Sequence, residues 1–373
     1  MTINLKQNKN ILLITLRSDI GGGSKHLNSV FENLKDDFSF FIASPVDEPF
    51  GIKWLNELKD KFFQLPHRRF SLIHFFRLIG YVRKNKIRVV HAHGKGAGIY
   101  ARLLKLFLPS LKIIFTWHGF HIETYNSLSK QIYILIEKTL SMLTDLFINV
   151  SESERVPCLA IKIYDEKKSV VIYNGIKDEF KPVDKITLRK KLNLPEDKFI
   201  VMNISRFDKT KNVKAFVEIA SMLKSHNEIF FVLAGDGEEK KEIVNMIEHR
   251  EMKNILLPGF VNNPVEYLQA ADVYLSTSLS EGLPYTLLES LMCALPIVAS
   301  DVRGNNEVVQ NNVNGFLFDL RNRSQASQKI IEIKSESDNY KKLSDNARKI
   351  FLDKFTEQKM IFKLKEVYEK YLL

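Results

Sequence analysis

The sequence is poor in the residues that mark disulfide-rich, metal-binding, low-complexity and membrane-spanning proteins. Cysteine occurs only twice, at Cys158 and Cys293, and neither belongs to a CxxC pair or a Cys/His cluster with metal-ligand spacing. The 16 glycines and 11 prolines are too few among 373 residues for a disordered or low-complexity chain. No apolar run reaches the ~18 residues that cross a bilayer, and no small-residue cleavage site follows the N-terminal strand-like run. We therefore expect a globular cytoplasmic protein without a signal peptide or a membrane span.

Positive charge is concentrated in the first half of the chain. Residues 1–180 hold 26 Lys and Arg against 17 Asp and Glu, which supplies most of the net charge of +11. Within them, residues 53–112 hold 14 basic residues and only two acids, interleaved with apolar stretches such as FSLIHFFRLIGYV. This combination favours an anionic membrane surface or a phosphorylated lipid as partner. Nucleic acid is the rival interpretation, and a solvated charged face over core helices is the third.

Short β-rich apolar runs alternate with helical patterns along the chain, which is typical of parallel βαβ units. Six runs lie in the first half, at 11–16, 38–44, 88–93, 112–118, 145–151 and 169–174. Six more follow, at 198–205, 229–235, 254–260, 272–278, 296–301 and 315–319. The chain is long enough for two cores, so we predict two successive doubly wound α/β domains. Ligands bind beyond the carboxyl ends of such strands, and two facing halves would form an interdomain cleft.

Domain boundaries follow from the turn Asn174-Gly175 and the charged, Pro-containing stretch after it. We predict an N-terminal domain over 1–175, a C-terminal domain over 176–355, and a hinge near 175–197. The last segment, 356–373, repeats apolar residues at near 3.6-residue spacing, which predicts a helix that needs a core to pack against.

The segment EGLPYTLLE holds the clearest candidate for chemistry. It places Glu281 just before the start of a helix and Glu289 inside that helix, with Pro284 in the first turn. The helix dipole and the backbone amides at its tip favour a diphosphate or an anionic transition state. The residues predicted to line this tip are Gly282, Leu283, Pro284, Tyr285 and Thr286. Taken alone, the two glutamates would be interpreted as a capping acid and a solvated helix acid. Whether they form a ligand site therefore depends on the residues of the neighbouring loops.

Three further loops follow strands in the same half. Arg206 and Lys211 lie between a strand and a helix, where two fixed cations could hold a pyrophosphate leaving group. Gly235, in Gly-Asp-Gly, forms a turn that lets the backbone approach a ligand, while Phe260 and Val261 could form an aromatic wall and main-chain contacts for a base.

Together these motifs resemble the retaining glycosyltransferase family 4, whose members adopt the GT-B fold of two Rossmann-like domains. The resemblance is carried by E-x7-E, by R-x4-K upstream and by AGDGE between them. In the first half GGGSKHL resembles the family's glycine loop, while VVHAHGKGAGIYARLL and FTWHGFH resemble acceptor-side loops. It implies that the C-terminal helix crosses back to the first domain.

The resemblance also implies roles for single residues. Glu281 is similar to the glutamate that contacts the donor sugar, Glu289 to the one that binds the ribose, and Arg206 and Lys211 to the pair that neutralises the diphosphate. Gly22 and Gly23 would let backbone amides approach that diphosphate, and His118 resembles the histidine beside the reacting sugar. Two positions depart from the family pattern: Ala294 and Asn212 stand where glycine is common. Asn tolerates the left-handed conformation, whereas Ala294 could shift Glu289.

The histidines and the absent acids complete the predicted site. His26, Lys25 and His93 are candidate acceptor contacts, and His118 is preferred over His121 as the catalytic histidine. One of His91 and His93 is expected to be structural. No DxD motif or acidic cluster follows the strands, so we expect catalysis without a bound metal.

The sequence thus predicts a hexosyltransferase with a nucleotide-sugar donor, UDP being the expected nucleotide. The expected acceptor is a polyprenyl-diphosphate-linked or other glycan of bacterial capsule or O-antigen synthesis, at the inner face of the plasma membrane. The alternatives are a basic nucleic-acid-binding protein and a nicotinamide-dependent enzyme. The first leaves the glutamates and cations without purpose, and the second lacks the GxGxxG spacing.

Overall fold

The computed structural model describes residues 9–120 and 126–372, and the chain divides into two compact units. Unit 1 comprises residues up to Gly175 and those from Glu357 onwards, and unit 2 comprises Ile176–Thr356.

Unit 1 is built around a parallel sheet of seven strands. They are β1 Asn10–Thr15, β2 Ser39–Ser44, β3 Phe62–Gln64, β4 Val89–His93, β5 Lys112–Thr116, β6 Leu146–Asn149 and β7 Ser169–Val171. The order across the sheet is β3-β2-β1-β4-β5-β6-β7. The register places Thr15 beside His93 and His93 beside Thr116, so the carboxyl ends of the three central strands are level.

Helices cover both faces of this sheet. They are α1 Gly22–Leu34, α2 Phe50–Leu58, α3 Leu72–Lys84, α4 Lys95–Phe107, α5 Ser127–Ser141 and α6 Glu152–Ala160. The sheet is apolar on both sides because each strand is buried between helices. One core gathers apolar side chains of α3 and α4 and of strands β4 and β5, and the other gathers those of α1 and of strands β1 and β2.

The second core of unit 1 also takes in the C-terminal helix, Glu357–Leu372. Its Met360, Leu364, Tyr368 and Leu372 are buried there against Leu27, among others. A helix with such a periodic apolar stripe is stable when the stripe is buried, and the core of unit 1 buries it. The implied return of the last helix to the first domain is confirmed.

Unit 2 repeats the same design with six parallel strands. They are β8 Phe199–Ile204, β9 Ile229–Ala234, β10 Ile255–Gly259, β11 Val273–Ser276, β12 Ile297–Ser300 and β13 Gly315–Phe318, in the order β10-β9-β8-β11-β12-β13. Its helices are α7 Lys185–Lys191, α8 Val213–Met222, α9 Lys240–His249, α10 Pro264–Ala270, α11 Tyr285–Met292, α12 Asn305–Val308, α13 Ser324–Ser335 and α14 Ser337–Lys354. None of the helices in the described ranges combines the length and apolar character that a bilayer-spanning segment requires.

The predicted pair of doubly wound sheets is confirmed, with two corrections. Unit 1 has seven strands rather than six, because β3 is a three-residue edge strand without a readable period. Several predicted strands also run past the observed ones: 112–118 ends at Thr116 and 272–278 at Ser276. The extra residues are buried or, in the case of His118, half-buried, and they form the strand-end loops that carry the candidate site.

Candidate active site

The strongest contact in the candidate site of unit 2 joins two loops that follow neighbouring strands. The Nζ atom of Lys211, after β8, lies 2.5 Å from Oε1 of Glu281, after β11. The Ser278 hydroxyl donates to the same carboxylate oxygen at 2.7 Å. Both charged side chains are largely buried, at 20% and 13% exposure, so this ion pair is shielded from water. Two of the predicted residues, 70 positions apart in sequence, thus meet at the carboxyl edge of the sheet.

The backbone of Glu281 is fixed by the loop after β12. Its N–H donates to the carbonyl of Arg303 at 2.9 Å. Gly304, with a φ of +84°, lies so close that a Cβ there would be 2.6 Å from the Cβ of Glu281. Only glycine fits both the left-handed backbone and this approach. Gly304 therefore shapes the Glu281 loop, and no motif in the sequence identified it.

Arg206 and Lys211 are organised by Asp208 between them. Arg206 Nη2 lies 2.8 Å from Asp208 Oδ2, and the Lys211 N–H donates to Asp208 Oδ1 at 3.0 Å. The Arg206 side chain is 57% exposed, so its guanidinium can turn towards a ligand. Asn212 adopts the left-handed conformation with φ 48° and donates from Nδ2 to the Thr277 carbonyl at 3.2 Å. The departure from glycine at Asn212 is thus accommodated, as expected for Asn.

Helix α11 begins one residue later than predicted. Pro284 is its N-cap, with extended backbone, and Tyr285 is the first helical residue, so Pro284 does not occupy the first turn. Gly282, Leu283 and Pro284 form the approach to the helix, and Tyr285 and Thr286 begin it. Glu289 is buried one turn further in. The N-terminal end of the helix dipole therefore points to the Glu281 loop side of the sheet.

Tyr274 is a buried part of this site that the sequence did not reveal. Its hydroxyl donates to the Ile204 carbonyl at 3.2 Å, at the end of β8. Burial raises the pKa of this phenol above its usual value, and the nearby carboxylates of Glu281 and Glu289 add to the effect. Tyr274 is neutral at physiological pH and braces the strand that leads to Arg206.

The glycines after β9 are required by close contacts with other backbone segments of the protein. A Cβ on Gly235, with φ 138°, would lie 1.8 Å from the Ser205 carbonyl oxygen, and one on Gly237 would lie 2.5 Å from that of Phe207. The Gly-Asp-Gly loop therefore lets the Arg206 loop pack closely. After β10, Phe260 projects with 60% exposure and is followed by half-buried Val261.

Unit 1 gathers three histidines from three segments. His26 lies on α1, His93 ends β4, and His118 lies in the loop after β5 with a φ of +55°. His93 Nδ1 is 3.0 Å from His118 Nε2, and the rings of His26 and His118 are 4.8 Å apart between centroids. The sequence predicted each histidine separately, but only the fold shows that they form one cluster. His121, the rival of His118, lies outside the described residues.

Burial keeps these imidazoles neutral. It lowers the pKa of His26 to about 4, although a contact between His26 Nδ1 and Asn174 Oδ1 at 3.1 Å opposes the shift. Burial also lowers the pKa of His93 and of His118 well below 6.5. The Nε2 atoms of His26 and His93 are buried, and no residue in the described part of the chain forms a hydrogen bond with either. Candidate ligand nitrogens of the three side chains lie within 4.8 Å of one another, so they could accept hydrogen bonds from a sugar or ligate a metal ion.

His91 has a structural role, as expected for one of the two β4 histidines. Its Nδ1 lies 2.7 Å from the Tyr368 hydroxyl of the C-terminal helix, and its Nε2 lies 2.8 Å from Thr116 Oγ1. His91 and His93 point to the same side of β4 and their ring centroids are 4.1 Å apart. His91 therefore supports the cluster from behind.

The glycine loop leads directly into α1. Gly22 and Gly23 are its first two residues, and a Cβ on Gly23 would lie 3.6 Å from His118 Cδ2. Lys25, one residue before His26, is half-buried in the same helix. The loop thus lies beside the histidines, as a contact with the reacting groups would require.

Glu154 holds the His118 loop and was not predicted. Its carboxylate accepts from the Gly119 N–H at 2.6 Å and from the Val150 N–H at 2.9 Å, and the residue is fully buried. The S-x-x-E signature of a capping box at Ser151 to Glu154 is visible in the sequence, but its long-range target Gly119 is not. Glu154 is a positioning residue for the loop that carries His118.

This fold and these sites define a class. Two Rossmann-like parallel-sheet units, one with a Lys–Glu pair beside a helix N-terminus and the other with a glycine loop beside histidines, are the architecture of GT-B glycosyltransferases.

Comparison with known families agrees with this class. Residues 20–180 match the model described as "Glycosyltransferase Family 4", and residues 184–350 match the model "Glycosyl transferases group 1". Each half of the chain thus matches a glycosyltransferase domain, and the chain is a hexosyltransferase.

Two of the proteins similar to this chain are glycosyltransferases of Escherichia coli. The chain is 29% identical over 307 residues to the UDP-Gal:alpha-D-GlcNAc-diphosphoundecaprenol alpha-1,3-galactosyltransferase of Escherichia coli, covering 80% of this chain and 78% of that protein. It is 26% identical over 338 residues to the O-antigen biosynthesis glycosyltransferase WbnH of Escherichia coli, covering 89% and 92%. These relatives favour glycosyl transfer over nucleic-acid binding.

Solved structures share the fold across the whole chain. The Anabaena protein HepE in complex with UDP and glucose superposes with a TM-score of 0.83 at 17% identity, covering 97% of this chain and 100% of that one. The predicted GT-B fold is therefore confirmed.

Proposed function

We propose that this enzyme is a retaining transferase that moves a hexose or N-acetylhexosamine from a UDP sugar to a polyprenyl-diphosphate-linked glycan. The observation that carries the proposal is the shielded Lys211–Glu281 pair beside the start of α11. A carboxylate positioned by a lysine can accept hydrogen bonds from sugar hydroxyls, and the same lysine can form an ion pair with a phosphate.

Different loops of unit 2 bind different parts of the nucleotide-sugar donor. Lys211 and Arg206 neutralise the diphosphate, helped by the positive end of the α11 dipole at Tyr285 and Thr286. Glu281 accepts hydrogen bonds from hydroxyls of the donor sugar, and Glu289 accepts them from the ribose hydroxyls. Phe260, exposed after β10, packs against the base, with Val261 beside it. Gly235 shapes this edge through the Arg206 loop.

The chemistry is a displacement on one face of the sugar. The bond from the anomeric carbon to the diphosphate oxygen breaks, and an acceptor hydroxyl attacks the same face. A departing diphosphate oxygen takes the proton of that hydroxyl. The enzyme then stabilises charge and positions reactants rather than supplying a carboxylate base.

The neutral histidines of unit 1 suit an acceptor rather than a phosphate. His118 and His93 can accept hydrogen bonds from sugar hydroxyls, because burial keeps both uncharged. His118 lies by the reacting sugar, and His26 and Lys25 contribute to the acceptor side. The acceptor named for the galactosyltransferase relative, a GlcNAc-diphosphoundecaprenol, supports a lipid-linked glycan here. The names of the relatives likewise support a role in O-antigen, capsule or related glycan synthesis.

A lipid-linked acceptor requires access to a membrane surface. Helix α3 exposes Leu72, Ile73 and Phe76 at 58–66%, and exposed Arg69 and Arg77 lie before and within that helix. Basic and apolar side chains on one helix suit anionic headgroups and the interface beneath them. We place the enzyme peripherally on the inner face of the plasma membrane.

The test is a donor screen followed by product analysis. The protein is incubated with UDP-hexoses and UDP-N-acetylhexosamines, and sugar release or transfer to a polyprenyl-diphosphate glycan is measured. Proton NMR of the new linkage is expected to show the α anomer from an α-linked donor. A β product would overturn the retaining mechanism, and turnover only with other nucleotides would overturn the UDP assignment.

A further inference from the structure

Helix α5, Ser127–Ser141, buries a charged residue against unit 1. Its buried residue is Glu137, whose Oε2 lies 2.6 Å from Nη1 of Arg102 on α4. Neither side chain of this ion pair is more than 4% exposed. The Arg102 guanidinium also lies 4.0 Å from the centre of the Phe115 ring. An ionic contact therefore anchors α5 to unit 1 at a position where amphipathic helices usually place an apolar residue.

Tyr133, Ile134 and Leu140 of α5 are half-buried, but four further apolar residues of the helix face outwards. Leu128, Ile132, Leu135 and Ile136 are 68%, 50%, 66% and 48% exposed. They follow the i, i+4, i+7, i+8 spacing of a single helical stripe, and Met142, just beyond the helix, is 72% exposed. A stripe of this kind is costly in water and marks a surface that another apolar phase covers.

The charges on α5 indicate what kind of surface covers the apolar stripe. Its charged residues are Lys130, Glu137 and Lys138; the glutamate is buried in the ion pair, Lys130 is half-buried and Lys138 is exposed. The accessible charge of the helix is therefore positive. An apolar stripe with a cationic margin complements an anionic lipid surface.

The stripe continues an apolar surface on neighbouring helices of unit 1. Helix α4 bears Arg102 and exposes Leu106 and Phe107 at its end. The ring of Phe107 lies 6.1 Å from that of Phe76 on α3. Helices α3 and α4 pack on the same core, and Tyr133 of α5 packs against that core as well. Three helices of one layer thus present apolar residues together with cations.

We propose that α5 is the element by which unit 1 inserts into the interface of an anionic phospholipid bilayer, while α3 supplies arginines to the headgroups. This deepens the membrane association of the proposed function and rests on it. The Arg102–Glu137 pair keeps the apolar stripe turned outwards, and the stripe contributes the part of the affinity that salt does not screen.

The experiment uses flotation with vesicles of phosphatidylglycerol and phosphatidylethanolamine at low and high salt. The double variant Leu135→Asn/Ile136→Asn is compared with Phe362→Asn, which removes a 64% exposed side chain on the C-terminal helix. We expect the α5 variant to bind about tenfold more weakly at both salt concentrations, and the Phe362 variant to bind like wild type. Replacing Arg69 and Arg77 by Ala should weaken binding at low salt only.

Two results would overturn this proposal. One is unchanged vesicle binding by the α5 variant. The other is a wild-type dimer in lipid-free solution, seen by sedimentation, that the α5 variant dissociates, because a second copy would then cover the stripe. Hydrolysis of the UDP sugar in solution is measured in parallel and should not change in the α5 variant. Absence of wild-type hydrolysis would count against the proposed function, while vesicle binding still decides the role of α5.

Discussion

The two units share a strand order but place different chemistry at their strand ends. In unit 2 the strands lead to charged loops in which Lys211 pairs with Glu281 and Arg206 with Asp208. In unit 1 they lead to a largely buried cluster of neutral histidines. Asn174 contacts His26, Glu154 holds the loop of His118, and Tyr368 holds the neighbouring His91. Charges suit a diphosphate that must be held and released, and neutral imidazoles suit hydroxyl groups. The same scaffold is thus specialised by the side chains that follow its strands.

The sharpest way to break this comparison is to remove the charges of unit 2. We expect Lys211→Ala and Glu281→Ala each to lower turnover about a thousandfold, because fixed charges at a departing diphosphate supply a large part of the catalysis. Turnover of the donor sugar is measured, with circular dichroism to confirm folding. Lys209→Ala, an exposed lysine of the same loop, serves as the control and should leave turnover unchanged. Normal activity of either site variant would contradict the donor assignment.

Removing a histidine of unit 1 should have a smaller and different effect. We expect His118→Ala and His93→Ala to lower turnover about a hundredfold by misplacing the reactants, while UDP affinity stays the same. Calorimetry with UDP and turnover assays separate the two quantities. His226→Ala, a partly exposed residue of unit 2, is the control. If UDP affinity fell in step with turnover, the histidines would belong to the nucleotide site instead.

Lowering the pH should destabilise unit 1 more than unit 2, because the buried histidines lie in unit 1. The pKa of His26 is about 4 in the folded protein because burial disfavours its charged form. An unfolded histidine titrates near pH 6.5, so the unfolded state binds more protons between pH 6.5 and 4. The free energy of unfolding therefore falls as the pH drops through this window, by up to about 1.4 kcal/mol per pH unit for each such histidine.

Urea unfolding at pH 7, 6 and 5 measures this loss. His26→Gln should show a shallower decline than wild type, while His249→Gln, an exposed residue of α9, should follow wild type. Hydrogen exchange should place the acid-induced opening in unit 1. Equal opening of unit 2 would show that the histidine cluster is not its cause.

The smallest effect concerns Ala294, which follows α11 in unit 2. It adopts a left-handed backbone with φ 56°, which costs a residue with a Cβ about 1 kcal/mol. Ala294→Gly should therefore stabilise the protein by up to about 1 kcal/mol, measured as a rise in the melting temperature. Ala160→Gly, at an exposed helical position of α6, should destabilise it instead. A lower melting temperature for Ala294→Gly would show that its methyl group packs favourably.

Much of the molecule could be predicted from local patterns. Alternating apolar runs identified all six strands of unit 2 and six of the seven in unit 1, because each buried strand is a continuous apolar segment. The E-x7-E spacing and the basic pair pointed to one edge of one sheet. The edge strand β3 was missed, since three residues carry no period.

The amino-acid sequence by itself determined the alternation of strands and helices, the family resemblance and the candidate residues, because periodicity and motif spacing are local properties. Only the tertiary structure decided which of them meet. It brought Lys211 to Glu281, grouped His26, His93 and His118, and placed Gly304 against Glu281. It also buried Glu137 of α5 while leaving Leu128, Ile132, Leu135 and Ile136 of that helix exposed. Such contacts join segments far apart in the chain, and they depend on strand order and helix rotation, which no local pattern specifies.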